Sequence, residues 1–348
     1  MKIIVDVMGG DNAPEETVKG AFWAAKEFPD TEFILVGDKP RIEEIAKENA
    51  YDLGRVEIVH ADEVITMEDD PVLVVRGKQN SSMSTGLKML AEGKGDAFVS
   101  TGNTGALFTG ATLIVRKLKG VLRPGIGAII PFENPVLLMD TGANVTVTEE
   151  NLEQFGVMGA AYMRKMYGIE NPRVGLLNNG SESCKGTELQ QAAYKRLMAN
   201  PEINFVGNIE GNSAAFGTCD VLVTDGFTGN IFLKSVEGLG KLLLGKIKGM
   251  FKSTLITKLA ALCMLKQVKV LKKQFDSSEH GGAPILGINK PVIKAHGSSN
   301  AKAFKNAIRQ AIGCANSGMN VEIAEAAQRY AERRKADREL AKQEKPEA

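Results

Sequence analysis

The chain has 348 residues, 43% of them hydrophobic, and its 43 basic and 42 acidic side chains leave a formal net charge of +1. This length permits one large α/β domain, and the balanced charge excludes a nucleic-acid binder that relies on a strong overall field. The four cysteines form no CxxC pair and no Cys/His cluster at metal-ligand spacing, so we expect a reduced, cytoplasmic protein without a metal site. The amino terminus runs straight into a strand-like segment and no run of eighteen apolar residues occurs in the sequence, so we expect neither a signal peptide nor a membrane-spanning helix.

Short runs rich in Val and Ile alternate with longer helical patterns along the chain. The run IIVDVM precedes a helix that opens at Ala13-Pro14, EFILVG precedes one near Pro40, and DAFVS precedes one near Gly105. Further on, RVGLLN, INFVGN and DVLVTD each lead toward another helix. This alternation predicts an α/β fold, with a mostly parallel sheet covered on both faces. The runs IGAIIPF and PVLLMD, two residues apart, predict an antiparallel hairpin within that sheet.

Five loops combine glycine with Ser, Thr, Asn or Asp at the start of a helix. They are GGDNAPEE (9–16), STGNTG (100–105), NNGSESCKGTE (178–188), TDGFTGN (224–230) and HGSSN (296–300). Helix capping and turn chemistry are enough to explain each loop taken singly. Because ligands of open α/β sheets collect beyond the carboxyl ends of the strands, we expect the loops to form one pocket at one edge of the sheet.

The loop STGNTG is the first candidate anion site. Gly102 and Gly105 allow a close backbone approach, Asn103 and Thr104 offer side-chain hydrogen bonds, and the next helix directs its free N–H groups toward a ligand. A tight strand-to-helix turn without a ligand is the alternative interpretation of this loop.

Two other loops carry candidate ligands for the same anion. Lys185 and Gly186 stand just before a predicted helix, so the ammonium group is expected over the pocket, unless it is simply a solvated lysine. His296, beside Gly297, is expected either to contact the anion or only to cap and pack.

The common nucleotide and hydrolase signatures do not fit this chain. Residues 102–105 do not form GxGxxG, and Lys185 precedes Gly186 in the reverse of the Walker A order. HGSSN lacks the second glycine of GxSxG, and HExxH is absent from the sequence. We therefore predict no dinucleotide or ATP site and no cofactor.

Residues 238–275 form a lysine-rich segment with nine lysines and no acidic residue. The pattern predicts an inserted hairpin of two cationic amphipathic helices. Three roles stay open for it: an ordinary core pair, a surface for dimerisation or for an acidic protein, and an element on an anionic membrane. The residues expected to contact lipid or protein are Lys241, Leu243, Lys246, Ile247, Lys248 and Lys252.

The carboxyl terminus is helical in composition from about Val321 and ends in a polar stretch of mixed charge. We expect one domain over residues 1–340, interrupted by the lysine-rich segment, and a disordered tail over 341–348.

Eight blocks, in order from residue 5 to about 300, resemble the PlsX family, the acyl-acyl-carrier-protein:phosphate acyltransferases of bacterial phospholipid synthesis. The chain departs from the family pattern at Asn179 and Cys184, and its tail after about Tyr330 lies beyond the shared region. The blocks are VDVMGGDNAPE, STGNTGAL, DTGANV, NPRVGLLNNGSESCKGTE, INFVGNIEG, DVLVTDGFTGNIFLKSVEG, the lysine-rich segment and GGAPILGINKPVIKAHGSSN.

The resemblance implies a Rossmann-like α/β/α sandwich similar to isopropylmalate dehydrogenases and phosphotransacetylases, assembled as a homodimer. It implies transfer of a long-chain acyl group from acyl carrier protein to inorganic phosphate. The acyl phosphate would pass to a membrane glycerol-phosphate acyltransferase, so the enzyme would associate with the inner face of the cell membrane. A coenzyme-A-dependent phosphotransacetylase and a dehydrogenase of the related fold are the alternatives.

This reaction needs little acid-base chemistry, because phosphate is already anionic and a thiol with a pKa of about 8.5 leaves readily. We hypothesise that Lys185 neutralises phosphate or the oxyanion and that Asn230 donates its amide to the same centre. We expect phosphate against the backbone of residues 102–105, within reach of Lys185. The assisting residues would be Gly186, His296, Ser298 and Ser299.

Overall fold

One mixed sheet of eleven strands runs through the part of the chain that the computed structural model describes, residues 1–264, 266–268 and 281–343. Across the sheet the strands are ordered β3-β2-β1-β4-β11-β10-β5-β6-β9-β7-β8. Their bounds are β1 (Lys2–Asp6), β2 (Glu32–Gly37), β3 (Val56–His60), β4 (Ala97–Ser100), β5 (Gly125–Pro131), β6 (Pro135–Met139), β7 (Arg173–Asn178), β8 (Asn204–Glu210), β9 (Val221–Val223), β10 (Ala283–Leu286) and β11 (Val292–Lys294).

Helices cover both faces of this sheet. Ile3 and Val5 of β1 join one apolar cluster with Phe304, whereas Ile4 points to the other face and joins a second cluster with Leu87. This alternation confirms the predicted α/β fold with two buried faces. The helices are α1 (Glu15–Glu27), α2 (Lys39–Glu48), α3 (Leu73–Arg76), α4 (Ser82–Ala91), α5 (Thr104–Gly110, continued by a π-helix over Ala111–Arg116), α6 (Glu149–Tyr167), α7 (Glu188–Ala199), α8 (Gly226–Lys252), α9 (Leu255–Cys263), α10 (Ala301–Asn316) and α11 (Met319–Gln343).

The strands fall into two groups that point in opposite directions. β1 is parallel to β2 and β4, and β4 is parallel to β11, whereas β9 is parallel to β6 and β7. The predicted hairpin of β5 and β6 is confirmed, and its reversal separates the two groups. Antiparallel β10 lies between β11 and β5, so β5 keeps the direction of β1.

The carboxyl ends of β1, β4 and β11 therefore point to one edge of the sheet, and those of β6, β7 and β9 point to the other. The expectation that all five glycine loops share one edge is wrong. Loops 9–16, 100–105 and 296–300 start from the first edge, whereas loops 178–188 and 224–230 start from the second.

α8 extends well beyond the body of the protein. It is 27 residues long, and among the described side chains from Gly238 to Met264 not one is buried. α9 follows after Ser253, with a short break where the hairpin bend was predicted. The predicted second helix beyond residue 268 lies outside the described residues, as do 344–348 of the predicted tail, while 341–343 continue α11.

Two glycines of α8 differ in the space around them. A Cβ on Gly229 would overlap the carbonyl oxygen of Asp140, whereas no atom lies within 4 Å of a Cβ built on Gly245. We expect Gly229→Ala to lower the free energy of unfolding by about 1–3 kcal/mol through overpacking. Gly245→Ala should raise it by up to about 1 kcal/mol, because alanine is the better helix former. Chemical denaturation measures both, and equal effects would show that α8 is not packed against the end of β6.

Candidate functional site

Three loops interlock at the carboxyl ends of β1, β4 and β11. A Cβ on Gly9 would lie 2.7 Å from the Cα atom of Gly102, so these two backbones touch. The N–H of Asp11 donates to the carbonyl of Gly297 at 2.9 Å. Gly10, between them, has a φ of +100°, a conformation that favours glycine. The glycines thus permit the three loops to make direct backbone contacts with one another.

A buried carboxylate holds the turn after β4. Asp6 accepts hydrogen bonds from the Ser100 hydroxyl at 2.7 Å and from the N–H of Met8 at 3.1 Å. Burial raises the pKa of Asp6, and these hydrogen bonds oppose the rise. The Ser100 hydroxyl in turn accepts from the N–H of Gly102 at 3.0 Å. The Gly102 N–H is therefore engaged inside the protein, and the space beside this buried glycine is filled, because an added Cβ would lie 2.6 Å from Cε of Met83.

Asn103 caps α5 and fixes a neighbouring segment. Its Oδ1 accepts from the N–H of Ala106 at 3.0 Å, and its Nδ2 donates to the carbonyl groups of Thr66, Met67 and Asp69 at 3.3, 3.1 and 3.1 Å. The side chain of Asn103 thus serves the turn itself. Thr104 is exposed in the first turn of α5, and Gly105 is backed by Pro71.

The loop after β11 carries three of the predicted site residues. Nδ1 of His296 lies 2.9 Å from the Ser298 hydroxyl and accepts from the Ser298 N–H at 3.2 Å. Asn12 ties this loop to the loop after β1, because its Nδ2 donates to the carbonyls of Ser298 and Ser299 at 3.1 and 3.3 Å. Burial, reinforced by the charge of Lys234, lowers the pKa of His296, so its imidazole is neutral at neutral pH.

Lys294, the last residue of β11, was not among the predicted site residues. Its side chain is buried, and its Nζ donates to the carbonyl of Thr101 at 3.3 Å and to that of Ala295. Burial lowers the pKa of Lys294 to about 8, although the charges of Asp11 and Asp6 oppose this shift. The available sequence signal was a lysine that ends the apolar run PVIK, one residue away from HGSSN.

A second buried carboxylate shapes the loop after β6 and the start of α8. Asp140 accepts from the N–H and the Nδ2 of Asn144, both at 2.7 Å, and the carbonyl of Asn144 accepts from the N–H of Gly226 at 2.8 Å. Asn230 follows one turn later, exposed beside Gly142, whose added Cβ would lie 3.5 Å from the Asn230 Nδ2. The buried Asp140 thus fixes the part of α8 that presents Asn230.

Lys185 is exposed in the loop after β7, where its carbonyl accepts from Asn178 Nδ2 at 3.2 Å and Gly186 has a φ of +85°. β7 neighbours β9, which leads into Asn230, but five strands separate β7 from β4. Six strand spacings amount to roughly 29 Å. The strand order therefore separates, within one chain, the strand that leads to Lys185 from the strand that leads to residues 102–105.

α8 passes beside the loop after β11. Asn230 and Lys234 are four residues apart and so lie on one face of the helix. The charge of Lys234 acts on both Lys294 and His296, and that of Lys241 acts on His296. The side chain of Lys234 also pairs with Glu237 at 3.0 Å. The remaining predicted contact residues, Leu243, Lys246, Ile247, Lys248 and Lys252, lie farther along the projecting part of α8.

Known proteins match this chain over most of its length. A family model described as fatty acid synthesis protein matches residues 1–322. The phosphate acyltransferase of Acetivibrio thermocellus is 51% identical over 312 residues, which cover 89% of this chain and 92% of that protein. The phosphate acyltransferase of Dictyoglomus thermophilum is 43% identical over 335 residues, covering 96% and 99%.

Solved phosphotransacetylases share the fold. The EutD phosphotransacetylase from Staphylococcus aureus superposes with a TM-score of 0.57 at 16% identity, covering 94% of each chain. A phosphotransacetylase from Streptococcus pyogenes gives 0.59 at 19% identity, covering 90% of this chain and 94% of that one. At such low sequence identities the superpositions are evidence for the fold only. They confirm the predicted phosphotransacetylase-like architecture. On the family model and the relatives, the chain belongs to the fatty acid synthesis protein family, the PlsX family of phosphate acyltransferases that its eight sequence blocks resemble.

Proposed function

We propose that this protein transfers a long-chain acyl group from acyl carrier protein to inorganic phosphate, giving acyl phosphate for phospholipid synthesis. The observation that carries the proposal is the close packing of the loops after β1, β4 and β11 around the buried ammonium of Lys294. Glycine-rich backbone at the start of a helix, beside a buried cation, suits a small and dense anion such as phosphate.

The proposed reaction depends mainly on the chemistry of phosphate and thioester, and the protein supplies a few hydrogen-bond donors. An oxygen of phosphate attacks the thioester carbon, the new C–O bond forms, and the carbonyl oxygen becomes an oxyanion. Collapse breaks the C–S bond, and the thiolate leaves and takes a proton from water. Site residues would position phosphate and stabilise the oxyanion. In the proposed roles, Asn230 donates its amide and Lys185 supplies positive charge.

The projecting part of α8 supports a proposed contact with an anionic partner. Leu239, Leu243 and Met250 are 57%, 53% and 69% exposed, so in this chain they do not form the ordinary core pair that was one interpretation. Exposed apolar side chains among lysines are typical of helices that lie on anionic membranes or dock acidic proteins. Within residues 1–264, 266–268 and 281–343, no helix is both long and apolar enough to cross a bilayer.

Our proposal therefore includes a cytoplasmic homodimer that associates peripherally with the inner face of the membrane. There it would receive acyl groups from acyl carrier protein and deliver acyl phosphate to a glycerol-phosphate acyltransferase. Sedimentation of the purified protein tests the dimer.

The product assay tests the proposed reaction. The purified protein is incubated with palmitoyl-acyl carrier protein, with or without phosphate, and acyl phosphate and free carrier protein are measured. We expect both products only when phosphate is present. Reaction with palmitoyl-coenzyme A but not with the carrier-protein thioester would instead indicate a coenzyme-A phosphotransacetylase. Absence of acyl phosphate from both donors would refute the proposal.

A further inference from the structure

Two lysines, Lys294 and Lys234, and the neutral imidazole of His296 lie where α8 passes the end of β11. Lys294 lies on the sheet side, His296 in the following loop, and Lys234 on α8. The charge of Lys234 acts on both of the others, and the charge of Lys294 acts on His296. Like charges that oppose one another in a folded protein mark a place that an anion would stabilise.

The hydrogen bonds of the Lys294 ammonium go to neutral groups. Its side chain is only 8% exposed, yet it hydrogen-bonds to two neutral carbonyl groups. Among the described residues, the ion pairs within 4.0 Å do not include Lys294. Asp6, the buried acid of β1, is already engaged with Ser100 and Met8. Buried charges are normally paired, and Lys294 has one N–H left after its two carbonyl partners.

We propose that Lys294 and Lys234 together bind the phosphate substrate, Lys294 from the end of β11 and Lys234 from α8. This inference rests on the proposed function and adds the two cations that hold its acceptor. The bound phosphate would link α8 to the interlocked loops, and the Thr101 carbonyl that orients Lys294 belongs to the turn that also carries residues 102–105.

The binding of phosphate should weaken at alkaline pH. The charged groups facing Lys294 are Asp6 of β1, Asp11 of the next loop and Lys234 of α8, which is itself paired with Glu237 at 3.0 Å. With its pKa lowered to about 8, free Lys294 loses its proton above that pH, far below the range of an ordinary lysine. The kcat/KM for phosphate, which reports the free enzyme, should therefore fall above pH 8 or so. The profile of Lys294→Met should lack this fall.

Two variants and two matched controls test the inference. Lys294→Met and Lys234→Met each remove a charge and keep most of the stem. We expect the KM for phosphate to rise about 10- to 100-fold in each, as for loss of a charged hydrogen bond, with the KM for acyl carrier protein thioester unchanged. Lys290→Met is the control for Lys294, because Lys290 precedes β11 and its Nζ donates to the Gly95 carbonyl at 2.6 Å. Lys195→Met, an exposed lysine of α7, is the control for Lys234, and both controls should stay within about twofold of the parent.

The outcomes separate this inference from the proposed function. An unchanged phosphate KM in both variants, or an equal rise in the KM of both substrates, would overturn the inference while leaving the reaction intact. If Lys294→Met does not fold, the phosphate KM of Lys234→Met tests the inference, because Lys234 is exposed. If the parent protein forms no acyl phosphate, the proposed function fails. The rise of its melting temperature in phosphate, compared with that of Lys234→Met, then still tests binding.

Discussion

Asn230→Ala and Lys185→Ala should each lower the turnover number for acyl phosphate formation by about 10²- to 10³-fold, the usual effect of removing one oxyanion or phosphate donor. Both side chains are exposed, so neither change should disturb the fold. Steady-state assays at saturating donor and phosphate measure the effect. Exposed Asn171→Ala and Lys195→Ala are the matched controls, and Asn171 precedes β7, at the end of that strand opposite to the Lys185 loop. Near-normal turnover of a folded Asn230 or Lys185 variant would show that its assignment is wrong.

The position of Lys185 calls for a second measurement. Because roughly 29 Å of sheet separates β7 from β4 within one chain, we test whether Lys185 reaches phosphate beside residues 102–105 from another copy. Mixed dimers of Lys185→Ala and Asn230→Ala chains distinguish the arrangements. If Lys185 comes from the partner, one site in each mixed dimer keeps both residues and activity returns. If both residues serve one site within a chain, every site stays defective.

Replacing Lys246, Lys248, Lys252 and Lys258 by glutamine should weaken binding to vesicles rich in anionic lipid by about 10³-fold, because each basic residue near such a surface contributes about 1 kcal/mol. All four are exposed on α8 or α9, and none lies at the end of β11. Co-sedimentation with vesicles measures the loss, and turnover in vesicle-free solution should largely survive. Leu243→Gln with Ile247→Gln tests the apolar part of the same surface.

The control is a variant with four exposed lysines replaced elsewhere, at Lys26, Lys47, Lys94 and Lys195. It changes net charge equally and should bind vesicles like the parent protein. If the α8 and α9 variant keeps its vesicle binding but shows a higher KM for acyl carrier protein, the surface serves the carrier protein and the membrane proposal is contradicted.

Long, nearly continuous apolar runs predicted their strands well. EFILVG and RVGLLN coincide with β2 and β7, because a strand buried on both faces needs apolar residues at every position. The strands that escaped prediction were β3, which is only partly buried, and β10 and β11, which have four and three residues. Runs this short carry too little periodicity to distinguish a strand from a turn.

The glycine loops, like the strands, could be predicted only in their local features. Gly102 and Gly105 were correctly expected to permit a tight turn before a helix, since that demand is local. Asn103 Nδ2 donates to three carbonyl groups of a distant segment, and this could not be predicted from the loop alone. The hydrogen bond from the Gly102 N–H to the Ser100 hydroxyl, which is held by Asp6, could not be predicted either. These contacts limit what the loop itself can offer an anion.

The sequence by itself determined the family, the α/β class and the cationic character of α8, because these depend on local patterns and on ordered blocks of residues. Only the tertiary structure decided which loops meet. The direction of each strand depends on pairings such as β10 with β5, formed by residues far apart in the chain. Those pairings send the loop of Lys185 to the opposite edge, and they bury Lys294 beside the turn after β4, where its charge is opposed by desolvation.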